Sequence, residues 1–506
     1  MTLVSNNRKL PRALSMEDAL HNKDHRIDIV LATDNNNKGR FNSPTGSGKT
    51  DPQAEILIRK QGEYSIGIVK ASRIALTNQL QTTHQKYFEK RGLINKFNTT
   101  SFHSGEEADI FEEDDLKRIN LGTMGEDEYN SKMEMERRTS KIFHSIEEIK
   151  KFVITAWMHN ETPIFYTTYH SNLRLVKLLL ESFDESAFCD INDEAHNLVR
   201  TDFTNILDEY TPKFQYHFTA TEKITESDIG RGMNNVERFG KRIFNLTVKE
   251  AIRRGIILGV KPLQINNNVA LTNKQTTNSI DTFVIDGLKQ TKKELPLLSP
   301  KMLISVREKK QIKKIINSPR IKYWINEKPN RHCLTYHSDN ELNTYNGKII
   351  SRSKLDKLRI SLANDSDTEL IIVHYDILSE GIDIPSLTSV MILRKMSKSK
   401  FWQTIGRVVR IFRDNPSYKP YGLLFVPNFS MEDSDMVESF KQNLMDLTQN
   451  GYIPTELMSE ELPKGDGDDD GDVIKDIKNP RNLKEAIKME LYYTDLLSES
   501  FQLADF

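Results

Sequence analysis

The sequence predicts an α/β protein built on parallel sheets, divided into at least two domains. Three observations lead there. Short β-rich runs alternate with amphipathic helical stretches over most of the chain. At 506 residues the chain is too long for one ordinary core. A glycine-rich turn lies at Ser43–Thr50, just ahead of a helical stretch.

Taken in order, buried strands are expected at Tyr64–Val69, Phe188–Ile191, Phe214–Phe218, Lys301–Val306, Leu370–His374 and Ser389–Leu393. Ser72–Lys90 and Ser171–Phe183 have the apolar spacing of crossover helices. Residues 259–295 are polar and rich in Asn and Thr, which suggests a linker and the first strand of a second unit. The chain turns helical and charged after Pro427. Residues 465–472, GDGDDDGD, cannot bury and are expected to form a solvated loop ahead of a helix pair over Asn482–Leu503. The domains expected are therefore 1–256, 257–430 and a helical tail with an acidic loop at 431–506.

Charge and cysteine content exclude several classes. Lys and Arg number 71 against 72 Asp and Glu, so the whole molecule offers no basic field, and any nucleic-acid surface must be a local groove. Two cysteines, Cys189 and Cys333, exclude a disulfide scaffold and a zinc site with several thiolates, and fit a reducing interior. No apolar run approaches the roughly 20 residues of a membrane span. The first sixteen residues carry Arg8, Lys9 and Arg12 without an acid, as transit peptides do, but have a poor apolar face. The expectation is an intracellular, cytoplasmic protein, at a nucleoid or a viral factory, neither secreted nor in a membrane.

The strongest local signal is Ser43, Pro44, Thr45, Gly46, Ser47, Gly48, Lys49, Thr50. Glycines let backbone N–H groups close around phosphate oxygens, and the helix that follows adds its positive end. In such a loop the lysine reaches the β- and γ-phosphates and the threonine hydroxyl holds Mg²⁺. Ser43 replaces the usual first glycine, but the narrower TGxGKT pattern is intact. A chance match to it in this chain is on the order of one in a thousand. That outweighs the bland alternative, a turn with a solvated lysine.

The second signal is Asp193-Glu194-Ala195-His196, at the end of the apolar run from Phe188. A carboxylate at a strand end beside a phosphate loop can hold the water shell of Mg²⁺. A second carboxylate next to it can take a proton from attacking water. Alone, these four residues fit the acidic start of a helix equally well. The third signal is Gln403, Gly406, Arg407 and Arg410. Arginines three apart share one face of a helix, and two guanidiniums there suit a γ-phosphate, although a solvated face is the common reading of such a pair.

Together these residues resemble superfamily 2 helicases and translocases. The phosphate loop, Val69–Gln79, Asp193–His196, Thr219–Thr221, Lys301–Val306, Glu380–Pro385 and Gln403–Arg410 fall in the order of that family's motifs I, Ia, II, III, IV, V and VI. Within it, Tyr166–Ser171 (YTTYHS), Phe218–Glu222 (FTATE) and Ser379–Arg394 are most similar to the type III restriction-helicase-like group. The resemblance covers about residues 40–430. It implies two tandem RecA-like domains with ATP in the cleft and nucleic acid across the top. There are two departures. No glutamine motif for adenine precedes Ser43, where Arg12, Asp28 and Asn35–Asn37 are the residues on hand. No nuclease constellation is found in residues 430–506.

The resemblance implies the following roles. ATP is held by Pro44, Thr45, Gly46, Ser47, Gly48, Lys49 and Thr50, with Gly381 and Asp383 sensing the nucleotide. Thr50 and Asp193 hold Mg²⁺, and Glu194 orients and deprotonates water. Gln403 helps place that water, and Arg407 and Arg410 stabilise the transferring phosphoryl group. His196, Thr219 and Thr221 couple the nucleotide to the strand path. Nucleic-acid contacts fall to Ser72, Arg73, Thr168, Tyr169 and Ser171, with the basic stretch Lys301–Arg331 as a further candidate. Such contacts are mostly to phosphates, hence insensitive to sequence and sensitive to salt.

The leading expectation is an ATP-dependent DNA helicase or translocase of replication, recombination or repair. Its rivals are an RNA-directed or transcript-release helicase, and a motor subunit of a restriction or defence complex that works with protein partners. A dead nucleotide-binding scaffold is disfavoured by the intact Lys49, Glu194, Arg407 and Arg410.

Overall fold

A computed structural model describes residues 13–103 and 146–451, apart from 201–202, 204–206, 209, 226–229, 265–272, 376–383, 385, 413–417, 427–433 and 450. The acidic run 465–472, the expected final helix pair, and Gly381 and Asp383 therefore lie outside the described residues. The chain divides into two compact units, the first holding most of residues 1–246 and the second 247–506.

Among the described residues, the sheet of the first unit has seven strands. They are β1 (Lys38–Asn42), β2 (Ile66–Ala71), β3 (Phe97–Phe102), β4 (Thr162–Thr168), β5 (Phe188–Asn192), β6 (Phe214–Thr219) and β7 (Lys241–Asn245). Their spatial order is β3-β4-β2-β5-β6-β1-β7, and every neighbouring pair is parallel. The strands read as buried runs because helices cover both faces. Phe41, Val69, Ile191, Tyr216 and Phe218 join one core with helices Asp24–Leu31, Thr50–Arg59 and Ile74–Lys90. Ile66, Ile68, Phe165 and Phe188 face the other way, against helices Ile146–Met158 and Tyr169–Leu180.

The second face is not purely apolar. The period of two that puts Val69 and Ile191 in one core puts Lys70, Asp190, Gln215 and His217 on the opposite side, all buried. Lys70 Nζ donates to Asp190 Oδ2 at 2.5 Å and to the Tyr210 hydroxyl at 2.6 Å, and that hydroxyl donates to Asp190 Oδ2 at 2.7 Å. Burial pulls Lys70 below the usual lysine range, and Asp190 works against that shift. His217 is fully buried and held neutral, by burial first and then by Lys38, Lys70 and Arg40.

The second unit carries β8 (Gly259–Gln264), β9 (Lys301–Ser305), β10 (Arg331–Tyr336), β11 (Thr344–Tyr345), β12 (Lys348–Ile349), β13 (Glu369–His374), β14 (Ser389–Ile392) and β15 (Tyr421–Val426). The order is β12-β11-β10-β13-β9-β14-β15-β8. All neighbours are parallel except the edge hairpin β10-β11-β12, whose last turn is Asn346-Gly347 with both residues at positive φ.

Both units are α/β with parallel sheets, as expected, and six of these strands fall on the runs read from the sequence. One segment differs. Much of 259–295 is not linker: after β8 comes a 22-residue helix, Asn273–Glu294. Its Asn- and Thr-rich face hides a stripe at Ile280, Phe283, Val284 and Leu288, all buried. Gly287 lets this helix close on the sheet, since a Cβ there would meet Met302 Cε at 2.7 Å.

Asp190→Ala leaves Lys70 buried without its counter-charge. It is expected to lower unfolding free energy by about 3–5 kcal/mol in urea titrations. The double variant Lys70→Met/Asp190→Leu should recover most of that loss.

Candidate functional site

Parallel strands send all their carboxyl ends to one edge of a sheet, and ligands of such sheets gather there. In the first unit β1, β6 and β5 are consecutive neighbours. The phosphate loop leaves β1, Thr219 ends β6, and Asp193 follows β5. Three motifs far apart in sequence thus leave adjacent strands.

The loop is tied down at its start, where Ser43 N donates to Thr219 O at 3.0 Å. Gly46 and Gly48 sit at φ 88° and 81°, conformations that glycine adopts without strain. Lys49 Nζ turns back over the loop and donates to Ser43 O at 3.0 Å and Pro44 O at 3.3 Å. Thr50 opens the helix Thr50–Arg59, whose positive end faces the loop. Pro52 lies in the first turn, where its missing N–H costs nothing.

Asp193 is held from three sides. Its N–H donates to Lys70 O at 2.8 Å, its carbonyl accepts from the Tyr169 hydroxyl at 2.6 Å, and its Oδ1 accepts from Gln53 Nε2 at 2.9 Å. Burial, then the neighbouring Glu194 charge, push its carboxyl up to about 6, with Lys49 pulling the other way. Glu194 has φ 50° and ψ 46°, a left-handed conformation rare outside glycine and Asn. Such strain persists where the surroundings over-determine it, as functional sites do.

From Glu194 the contacts run on without a gap. Glu194 Oε2 lies 3.3 Å from His196 Nδ1, and His196 Nδ1 lies 3.1 Å from Thr219 Oγ1. Thr219 Oγ1 donates to Thr221 O and accepts from Thr221 N, both at 3.1 Å. Glu222, the next residue, is clamped by Arg40 and Arg242. The four residues expected to act together are therefore in one chain of contacts.

The residues fit ATP with Mg²⁺. The loop offers a backbone cradle with an ammonium over it, and Thr50 and Asp193 offer the hard oxygens that Mg²⁺ prefers. Among the described residues no cluster of three His, Cys, Asp or Glu side chains stands ready for a metal, which suits an ion held mainly by nucleotide and water.

The strand-path candidates share the same edge. Ala71 is opposite Thr168 in the β2–β4 register, so Ser72 and Arg73 leave the sheet beside Thr168–Ser171. Ser72, Arg73 and Ser171 are half-buried. Thr168 is the cap of helix Tyr169–Leu180, its Oγ1 accepting from Ser171 N at 3.3 Å. Tyr169 requires a correction. It is fully buried beneath Asp193 and cannot stack a base; its hydroxyl fixes the backbone of the acidic motif.

In the second unit, helix Lys398–Val408 carries Gln403 and Arg407, both buried. Arg410 lies beyond the end of that helix, so the shared-face argument does not describe the pair. The basic stretch also changes. Lys301 is buried on the carbonyl of Ala363, and Arg331 pairs with Glu369, whereas Lys309, Lys310, Lys313 and Lys314 are exposed on helix Lys309–Asn317.

Sequence reasoning missed two residues here. Gln53 lies one helical turn after Lys49, a spacing that would have flagged it. Arg26 pairs with Asp51 at 2.9 Å, and its guanidinium fills the space a Cβ at Gly48 would need. Nothing in the sequence around Arg26 announces that.

Comparison with known proteins agrees with this geometry. The family model for the type III restriction enzyme res subunit matches residues 15–224, and that for the helicase conserved C-terminal domain matches 289–412. No curated protein matches significantly by sequence. Among solved structures, the ATP-dependent Type ISP restriction-modification enzyme LlaBIII bound to DNA is similar at TM-score 0.54 and 17% identity, over 87% of this chain and 29% of that one. Dbp5 of S. cerevisiae, bound to RNA and ADP BeF3, is similar at TM-score 0.51 and 13% identity, over 87% and 93%. Helicase Lhr of Mycobacterium smegmatis, bound to ssDNA and AMP-PNP, is similar at TM-score 0.52 and 12% identity, over 87% and 50%. This chain thus spans under a third of the restriction enzyme's length.

Fold and site define a P-loop protein with tandem RecA-like units. The chain belongs to superfamily 2 of the helicases and lies close to the type III restriction group. Domains of that kind bind ATP, typically with Mg²⁺.

Thr219→Val removes the His196 contact and the turn to Thr221 together. It is expected to keep ATP affinity within about threefold while lowering nucleic-acid-stimulated ATP hydrolysis at least tenfold, roughly the worth of one or two buried hydrogen bonds. Nucleotide binding and steady-state hydrolysis, measured side by side, check this.

Proposed function

We propose that this chain is an ATP-driven DNA motor, a helicase or translocase of replication, recombination or repair. The observation that carries the reading is the continuous path from Glu194 through His196 and Thr219 to Thr221, beside a complete phosphate loop. A site meant only to hold nucleotide has no need of that path.

Lys49 binds the β- and γ-phosphates, and the N–H groups of Thr45–Lys49 cradle them. Thr50 and Asp193 hold Mg²⁺, which when bound neutralises charge on the phosphates. Asp193 must be ionised to do so, and the Lys49 ammonium favours that form. Glu194 accepts the proton of the attacking water. Gln403 from the second unit assists in placing that water. Arg407 and Arg410 stabilise the transferring phosphoryl group, a role worth roughly 10³–10⁵ in rate. Gly381 and Asp383 are assigned to nucleotide sensing on the motif alone. The strand path is assigned to Ser72, Arg73, Thr168 and Ser171, with Lys309–Lys314 in the second unit adding phosphate contacts.

Three facts support DNA over RNA: the restriction-enzyme family model, the YTTYHS segment, and the likeness to a restriction enzyme bound to DNA. The span of under a third of that enzyme favours a second reading, a motor module that works within a larger restriction or defence assembly.

ATPase rates of wild type and Lys49→Ala with no nucleic acid, single-stranded DNA, duplex DNA, forked duplex and single-stranded RNA test the proposal. Stimulation by DNA that Lys49→Ala abolishes is the expected result. Stimulation by RNA alone refutes the DNA assignment, and a flat low rate points to the larger assembly. Arg410→Ala is expected to keep ATP affinity and lower single-turnover hydrolysis by a factor of order 10³; an unchanged rate removes Arg410 from the chemistry.

A further inference from the structure

The second unit contains a cavity of about 840 Å³ that no helicase motif explains. It lies between helices Asn273–Glu294 and Pro319–Glu327, and Pro300, Arg331 and Glu369 bring it to the amino ends of β9, β10 and β13. The motif VI helix follows the carboxyl end of β14, the opposite edge of the same parallel sheet.

Its size lies within the range of small-molecule sites, roughly 300–1,000 Å³. Its wall is mostly apolar, with Ile285 and Leu288 from one helix and Pro319 and Trp324 from the other. Tyr323 also lines it and is 71% exposed, unusual for an aromatic with no partner to cover it.

The charges around this wall are unbalanced, five cations against three carboxylates. Asp286 has Lys289 at 3.8 Å. Glu327 and Glu369 both hold Arg331, and Lys328 reaches Glu369 at 3.8 Å. Lys292 and Arg320 are left with neutral oxygens: Lys292 Nζ donates to Leu298 O at 3.2 Å and Arg320 to Thr282 Oγ1. Two cations without a carboxylate, flanking an apolar wall, have the complementarity of an organic anion.

We propose that this cavity binds a small amphipathic anion. A flat or aliphatic body lies against Leu288 and Trp324, and a carboxylate, sulfonate or phosphate is held by Lys292 and Arg320. The assignment does not depend on the motor reading, because none of these residues belongs to the nucleotide site.

The probe is 1-anilinonaphthalene-8-sulfonate, titrated into the full chain by fluorescence with saturating ADP and Mg²⁺ present. Saturable binding is expected, displaced at least about tenfold better by 2-naphthoate than by the neutral 2-naphthalenemethanol. Lys292→Ala/Arg320→Ala should weaken binding by about tenfold or more at an unchanged unfolding midpoint. Ile285→Glu, on the half-buried wall, should abolish it independently. Absence of saturable binding, equal displacement by acid and alcohol, or unaltered binding in both variants overturns the proposal. Displacement by an acidic peptide but not by 2-naphthoate would assign the cavity to a protein segment and overturn it as well.

Discussion

Every part of the nucleotide site depends on the backbone bond from Ser43 N to Thr219 O. It fixes the start of the phosphate loop to the end of β6 and continues the parallel ladder of β1 and β6 by one residue. The residue that accepts this bond through its backbone also presents its hydroxyl to His196 and Thr221. Any shift of the loop against β6 must therefore pass through the one residue that also touches the acidic motif. Packed contacts with discrete arrangements transmit such shifts better than flexible ones do.

The acidic motif is positioned by main chain more than by side chain. Lys70 O and the Tyr169 hydroxyl hold the two backbone groups of Asp193, while Gln53 alone of these reaches its carboxylate. That division leaves one carboxylate oxygen of Asp193 open to chemistry and places Glu194 in a left-handed turn. Two adjacent acids in a buried site repel, which is why Asp193 gives up its proton only near neutrality. A cation there favours both ionised forms at once.

The first unit carries a second organising feature, a polar centre on one sheet face. Lys70, Asp190 and Tyr210 form a closed hydrogen-bonded triangle in which each charge has a partner. Its members lie on β2 and β5, two residues before the strand-path and acidic segments respectively. A hydrophobic centre would hold these strands equally well by area. The polar triangle also fixes their register, because a slip of one residue would bury an unpaired charge.

Much of this was legible in the residues themselves. The phosphate loop, the acidic motif and Thr219–Thr221 are short contiguous patterns whose chemistry is local, and alternation of strands with helices implies the parallel sheet. Helix Asn273–Glu294 was not legible, because its polar composition masks a stripe of only four apolar residues. Tyr169 was misread for a related reason: its neighbours mark the segment as a strand-path motif, but burial under Asp193 is decided by β5, some 20 residues away. The packing of Arg26 on Gly48, the inward turn of Lys301 and the cavity at Trp324 carry no sequence signal. The sequence by itself determined which chemical groups the site contains and the order of the strands that deliver them, since both follow from local residue types and spacing. Only the tertiary structure decided which of those groups face one another, because that depends on burial and register set by segments distant along the chain.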